Sequence, residues 1–151
     1  MANLVKGFLS KQDLNDVAAA IKEAERRTAG EIRVAIRQKR SKKERALSVE
    51  HMARHEFVHL GMMKTKERTG ILIFILLESR QFYILADEHI NSKVAPRSWD
   101  TVAETMASQF AKKEFRQGLL TAVRTVGDHL ATHFPASAGD KNELSNKVDI
   151  S

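Results

Sequence analysis

The chain has 151 residues, 42% of them hydrophobic and 29% charged, the length of one domain and enough apolar content to bury a core. It has no cysteine, which excludes a disulfide framework, thiolate metal sites and cysteine nucleophiles. The formal charge is +6, yet aromatic residues are only 6% of the chain, so a nucleic-acid module with stacking platforms is not indicated.

In chain order, the first helix is announced by Ser10 as N-cap, with Asp13 at the third helical position in place of the Glu or Gln of a full capping box. Leu14, Val17, Ala18, Ile21 and Ala24 then recur at helical period, and Gly30 is expected to close the segment as a left-handed cap. A strand over 31–37 follows, with Ile32, Val34 and Ile36 alternating against Arg33, Ala35 and Arg37. The densest basic stretch comes next: Lys39, Arg40, Lys42, Lys43 and Arg45. It reads as a solvated loop or helix end that attracts anions weakly. A second helix is expected over 43–60, ended by Gly61.

The run 71–77 is apolar on both faces and belongs at the centre of a sheet. At seven residues it is far short of the roughly 18–20 needed to span a bilayer, so no membrane insertion is expected. Residues 1–7 lack the basic and long apolar regions of a signal peptide and no cysteine is present for lipidation, so a cytoplasmic location is expected; a monomer is expected as well. After a polar turn at 78–81, the strand 82–86 returns antiparallel, and a short helix follows over 88–94. Trp99, Val102, Ala103, Met106, Ala107 and Phe110 form one helical stripe. Phe115, Leu119, Ala122, Val123, Val126 and Leu130 form another, which Pro135 stops. The expected fold is therefore an α/β, three-layer α/β/α sandwich, its small mixed sheet built from a βαβ unit plus a hairpin. One domain is expected over 1–135, with a polar, flexible tail over 136–151.

His55-Glu56-Phe57-Val58-His59 matches H-E-x-x-H, the pattern that puts two zinc ligands and a general base on one helix. At 100° per residue, Val49, Phe57, Leu60 and Ala46 fall within about 40° of Ala53, while His51, His55 and His59 fall roughly 120–160° away. A zinc protease would turn those histidines toward a cleft. Met62 and Thr65 stand where the extended motif would need glycine and histidine, so the match reads as chance. No G-x-S-x-G, Walker loop or dinucleotide turn is present, and no catalytic constellation emerges.

Topology is more informative. A right-handed crossover makes the first two strands parallel, so the starts of both and the end of the third share one edge. That edge gathers Glu31, Arg68, Asp87 and Glu88, with Trp99 a short loop away. Carboxylates converging there suit a hard cation, calcium or magnesium, with Glu31, Asp87 and Glu88 as ligands. Equally, Glu31 can pair with Arg68 while Asp87 caps the helix after it. At the opposite edge Arg37, Arg40 and Arg80 offer room for a small anion.

The segments Glu25-Arg26-Arg27-Thr28-Ala29-Gly30-Glu31-Ile32-Arg33-Val34, Thr69-Gly70-Ile71-Leu72-Ile73 and Ile84-Leu85-Ala86-Asp87-Glu88-His89-Ile90 carry a family resemblance. With Trp99, His133-Phe134-Pro135 and Asp140-Lys141-Asn142-Glu143-Leu144, they resemble the TPM domain family in order over nearly the whole chain. The resemblance is to its bacterial branch without signal peptide or membrane anchor. It implies an α/β/α sandwich. A plant thylakoid-lumen relative is described as an acid phosphatase, and some bacterial relatives as calcium- or magnesium-binding. His89 departs from the family, where many members have glycine. The resulting expectation is a divalent-cation-binding module acting through an unidentified protein partner, with metal-assisted phosphomonoester hydrolysis as the alternative.

Overall fold

Three alternating isoleucine and valine positions, Ile32, Val34 and Ile36, are fully buried, and they set the face that β1 (Glu31–Arg37) turns to the larger core. The structure, a computed structural model, describes residues 4–136 and 144–151. Helix α1 (Lys11–Glu25) starts on a complete capping box, the Ser10 hydroxyl accepting from the Asp13 N–H and the Asp13 carboxylate from the Ser10 N–H. Its end differs from expectation. α1 stops five residues before Gly30, which is not left-handed; a Cβ there would lie 2.9 Å from Leu130 Cδ1, so a larger residue would require the Leu130 side chain to shift.

The expected 43–60 helix is two pieces. A short 3-10 turn (Lys42–Glu44) is separated from α2 (Val49–His59) because Ser48 caps the second helix by accepting from the His51 N–H. α2 ends before Gly61, whose φ is 73°. The strand β2 (Gly70–Leu76) is buried at every residue, and β3 (Gln81–Ala86) returns from it. α3 is shorter than expected (Glu88–Asn91), and α4 (Arg97–Ala111) and α5 (Phe115–His133) complete the helices.

The sheet order is β3-β2-β1-β4, with β1 parallel to β2 and β3 antiparallel to it. The fourth strand, β4 (Asp149–Ile150), lies beyond the expected boundary at residue 135. It pairs parallel with Ala35 and Ile36 of β1, and Val148 beside it is buried in the core. The remainder of the expected tail, 137–143, lies outside the described residues.

Two cores sandwich the sheet. The isoleucines of β1 and β2 meet α1, α4 and α5 on one face. On the other, Leu72, Phe74 and Leu76 meet Met52, Ala53 and Phe57 of α2. Burial of such apolar surface, roughly 25 cal/mol per Å², is the main force holding the layers together. No helix among the described residues is long and apolar enough to cross a membrane.

Candidate functional site

Strand register brings Glu31 and Asp87 to one edge. Glu31 is the Cα partner of Gly70, Ile71 pairs with Ala86, and the Asp87 N–H donates to the Gly70 carbonyl at 2.8 Å. Because side chains alternate along a strand, Glu31 and Asp87 share the face of Ala35 and Leu85, the α2 side of the sheet. Both are buried, at 3% and 6% exposure. Burying a carboxylate is costly unless it is paired or hydrogen-bonded, so their partners define the site.

Asp87 is the N-cap of α3, its Oδ1 accepting from the Glu88 N–H at 2.7 Å. Arg68 holds the same carboxylate with two donors, Nε to Oδ2 at 3.0 Å and Nη2 to Oδ1 at 3.1 Å. The hydrogen bond and charge of Asp87 raise the Arg68 pKa. Arg68 does this from a left-handed backbone, φ 57°, a conformation that strains a residue with a Cβ. Glu88 is largely exposed, with Oε1 3.7 Å from Arg68 Nη1.

Glu31 faces another element. The Leu144 N–H donates to its two oxygens, at 3.1 and 3.3 Å. Met62 lies close over Gly70, where a Cβ would meet the Met62 carbonyl at 3.3 Å. A carboxylate that sequence reasoning passed over stands nearby: Glu25, at the end of α1, accepts from the Ile32 N–H at 2.8 Å. Burial pushes its pKa up to about 8, the Ile32 hydrogen bond opposing and Glu31 reinforcing the shift. Its place beside Glu31 in the sequence motif was the available signal. Trp99, expected a short loop away, packs in the core of α1, α4 and α5, its ring edge-on to His129.

Asp87 and Glu88 line a cleft of about 300 Å³ with Arg54, Val58, Met63 and Arg68. Calcium takes six to eight oxygens and magnesium six. Among the described residues no three carboxylate or imidazole side chains are grouped to hold a metal. Arg68 holds both oxygens of Asp87, the atoms a cation would take. The described side chains, as arranged, do not form a cation cage.

At the opposite edge the three arginines are engaged within the protein. Arg37 pairs with Glu44 and lies 4.0 Å from Glu56. Arg40 donates to the Leu47 carbonyl and to Gln81, and the Arg80 guanidinium lies 5.4 Å from the Phe8 ring centroid. Each of the three arginines expected to receive a small anion thus has an internal contact, while Arg37 also lines an open cleft of about 490 Å³ with His55, His59 and Asp149. His55 and His59 are exposed on α2, while Glu56 between them is buried. Desolvation first, then the nearby Asp149 charge, raises the Glu56 pKa.

The family model of the TPM domain matches residues 4–129. The BA42 protein of the psychrophilic bacterium Bizionia argentinensis is 33% identical, over 95% of this chain and 96% of that one, with a TM-score of 0.85. An N-terminal domain of a P. gingivalis protein (17% identity, 85% and 80% coverage, TM-score 0.68) shares the fold. So does the N-terminal domain of the cg2496 protein of Corynebacterium glutamicum (15% identity, 87% and 80% coverage, TM-score 0.62). No curated protein matches.

Proposed function

The chain belongs to the TPM domain family, and from that premise we propose that it is a divalent-cation-binding module acting through a protein partner. Calcium or magnesium would be taken at the edge formed by Glu31, Asp87 and Glu88. The observation that carries the reading is Asp87: a buried carboxylate whose charge is met by one partly exposed, backbone-strained arginine. A guanidinium and a divalent cation compete for the same two oxygens, so the cation binds by displacing Arg68. Support for a partner comes from the same cleft, where Val58 and Met63 are 59% and 47% exposed. Apolar side chains clustered at a polar rim are common at docking sites.

Titration with calcium or magnesium, followed by amide NMR shifts, tests the reading. Amides at Gly70, Asp87, Glu88 and Leu144 are expected to move, and Asp87→Asn to abolish the response. Arg68→Gln should tighten binding by about tenfold, equivalent to about 1.4 kcal/mol, by removing the competitor. Unmoved amides at millimolar cation would sink the site. Turnover of p-nitrophenyl phosphate that Asp87→Asn abolishes would replace the binding module with the phosphatase reading.

A further inference from the structure

Hydrogen bonds assemble a second face at the far end of the sheet. The Leu77 and Glu78 N–H groups donate to the Arg37 and Gln38 carbonyls, joining the ends of β1 and β2. The Leu4 N–H donates to Gln38 Oε1 at 2.7 Å, and the Gln38 N–H donates to the Ser151 carbonyl at 2.9 Å. Arg40 reaches Gln81, bringing the basic loop to the β2–β3 turn.

The charges on this end fall into two sets. Arg37, Arg40 and Arg80 make the internal contacts described above, so their guanidinium groups are already engaged. Lys6, Lys39, Lys42, Lys43 and Arg45 are exposed, and none forms an ion pair among the described residues. Glu44 is consumed by Arg37 and Asp149 lies beside buried Glu56, leaving Glu78 as the exposed acid of the adjoining turn. Much of the chain's +6 charge is thus displayed on one end. Leu4 and Ile150, both tied to Gln38 by the bonds above or through β4, are 37% and 40% exposed beside it.

We propose that this end is a docking face for an anionic lipid bilayer, on which the protein adsorbs peripherally without spanning. Exposed lysines on long flexible stems favour a diffuse anionic surface over a rigid, forked phosphate site. No aromatic residue lies between Gln38 and Ser48, and Phe8 is covered by Arg80, so bases have nothing to stack on. Exposed Leu4 and Ile150 suit shallow contact at the headgroup boundary, as apolar side chains do in interfacial segments.

Co-sedimentation with vesicles of phosphatidylcholine containing about 30% phosphatidylserine tests the face, since acidic lipid supplies the attracting potential. Binding is expected there at low salt, falling steeply as salt rises, and absent on pure phosphatidylcholine. The triple variant Lys39→Glu, Lys42→Glu, Lys43→Glu should bind at least roughly a hundredfold more weakly, at about fivefold per cation. Lys22→Glu, Lys64→Glu, Arg124→Glu makes the same charge change on exposed positions elsewhere and should retain most of the binding. All three exchanged side chains in each variant are exposed, and circular dichroism confirms folding. Equal binding to neutral vesicles, no effect of the first variant, or equal loss in both would overturn the proposal. Tighter binding to a single-stranded oligonucleotide at the same salt would transfer the face to nucleic acid.

Discussion

Glu25 shows how one residue couples the fold to pH. Unfolded, its carboxyl loses its proton near 4.5; folded, it keeps it to about 8. Between those values the folded chain binds more protons, so this residue's contribution to stability is complete below about 4.5 and declines as pH rises toward 8. Glu25→Gln removes the penalty while its amide oxygen can still accept from Ile32. A gain of about 1–2 kcal/mol at pH 8, discounted for partial exposure, and almost none near pH 4.5 is expected from urea denaturation. An equal gain at both pH values would show that burial of charge at Glu25 is not the cause. Asp87, a buried carboxylate at the same edge, is instead paired with the Arg68 guanidinium.

The contact of α1 with α5 shows how elements are matched. A Cβ at Gly127 would lie 2.8 Å from Ala24 Cβ and 3.5 Å from Arg27 Nη2. Gly→Ala inside a helix ordinarily stabilises by about 1 kcal/mol. Here overpacking, which costs about 1–3 kcal/mol, outweighs that gain. Gly127→Ala is therefore expected to lower stability by about 1–2 kcal/mol in chemical denaturation, and adding Ala24→Gly to recover most of the loss. A single variant as stable as the parent would show that the helices separate without cost. Seen along the same chain, β4 is a weaker element, two residues of pairing secured by buried Val148.

Across the whole molecule, stability should grade outward from β2. All seven of its residues are buried, and it is bonded to β1 on one side and β3 on the other. Its amides can exchange with solvent only when the sandwich opens globally, whereas β4 can detach locally. Hydrogen exchange should show β4 amides exchanging at least tenfold faster than those of β2. Comparable protection would mean that β4 opens only with the entire fold. The same sheet separates two chemically distinct ends: buried Glu31 and Asp87 at one, and the exposed basic loop with Leu4 and Ile150 at the other.

The amino-acid sequence by itself determined the three-layer plan, the parallel and antiparallel pairings of β1 to β3 and the common edge of Glu31 and Asp87. Those follow from local signals: the period of apolar residues, the Ser10 cap and the crossover rule. Only the tertiary structure decided what each carboxylate meets. Arg68 lies 19 residues from Asp87 and Leu144 lies 113 from Glu31, so neither pairing has a local pattern to announce it. β4 escaped notice for the same reason, since Val148 and Ile150 are apolar islands in a polar segment whose partner is β1. The basic stretch was plain in the sequence, but which of its cations are spent inside the protein and which face outward depended on contacts made by Glu44, Leu47 and Gln81.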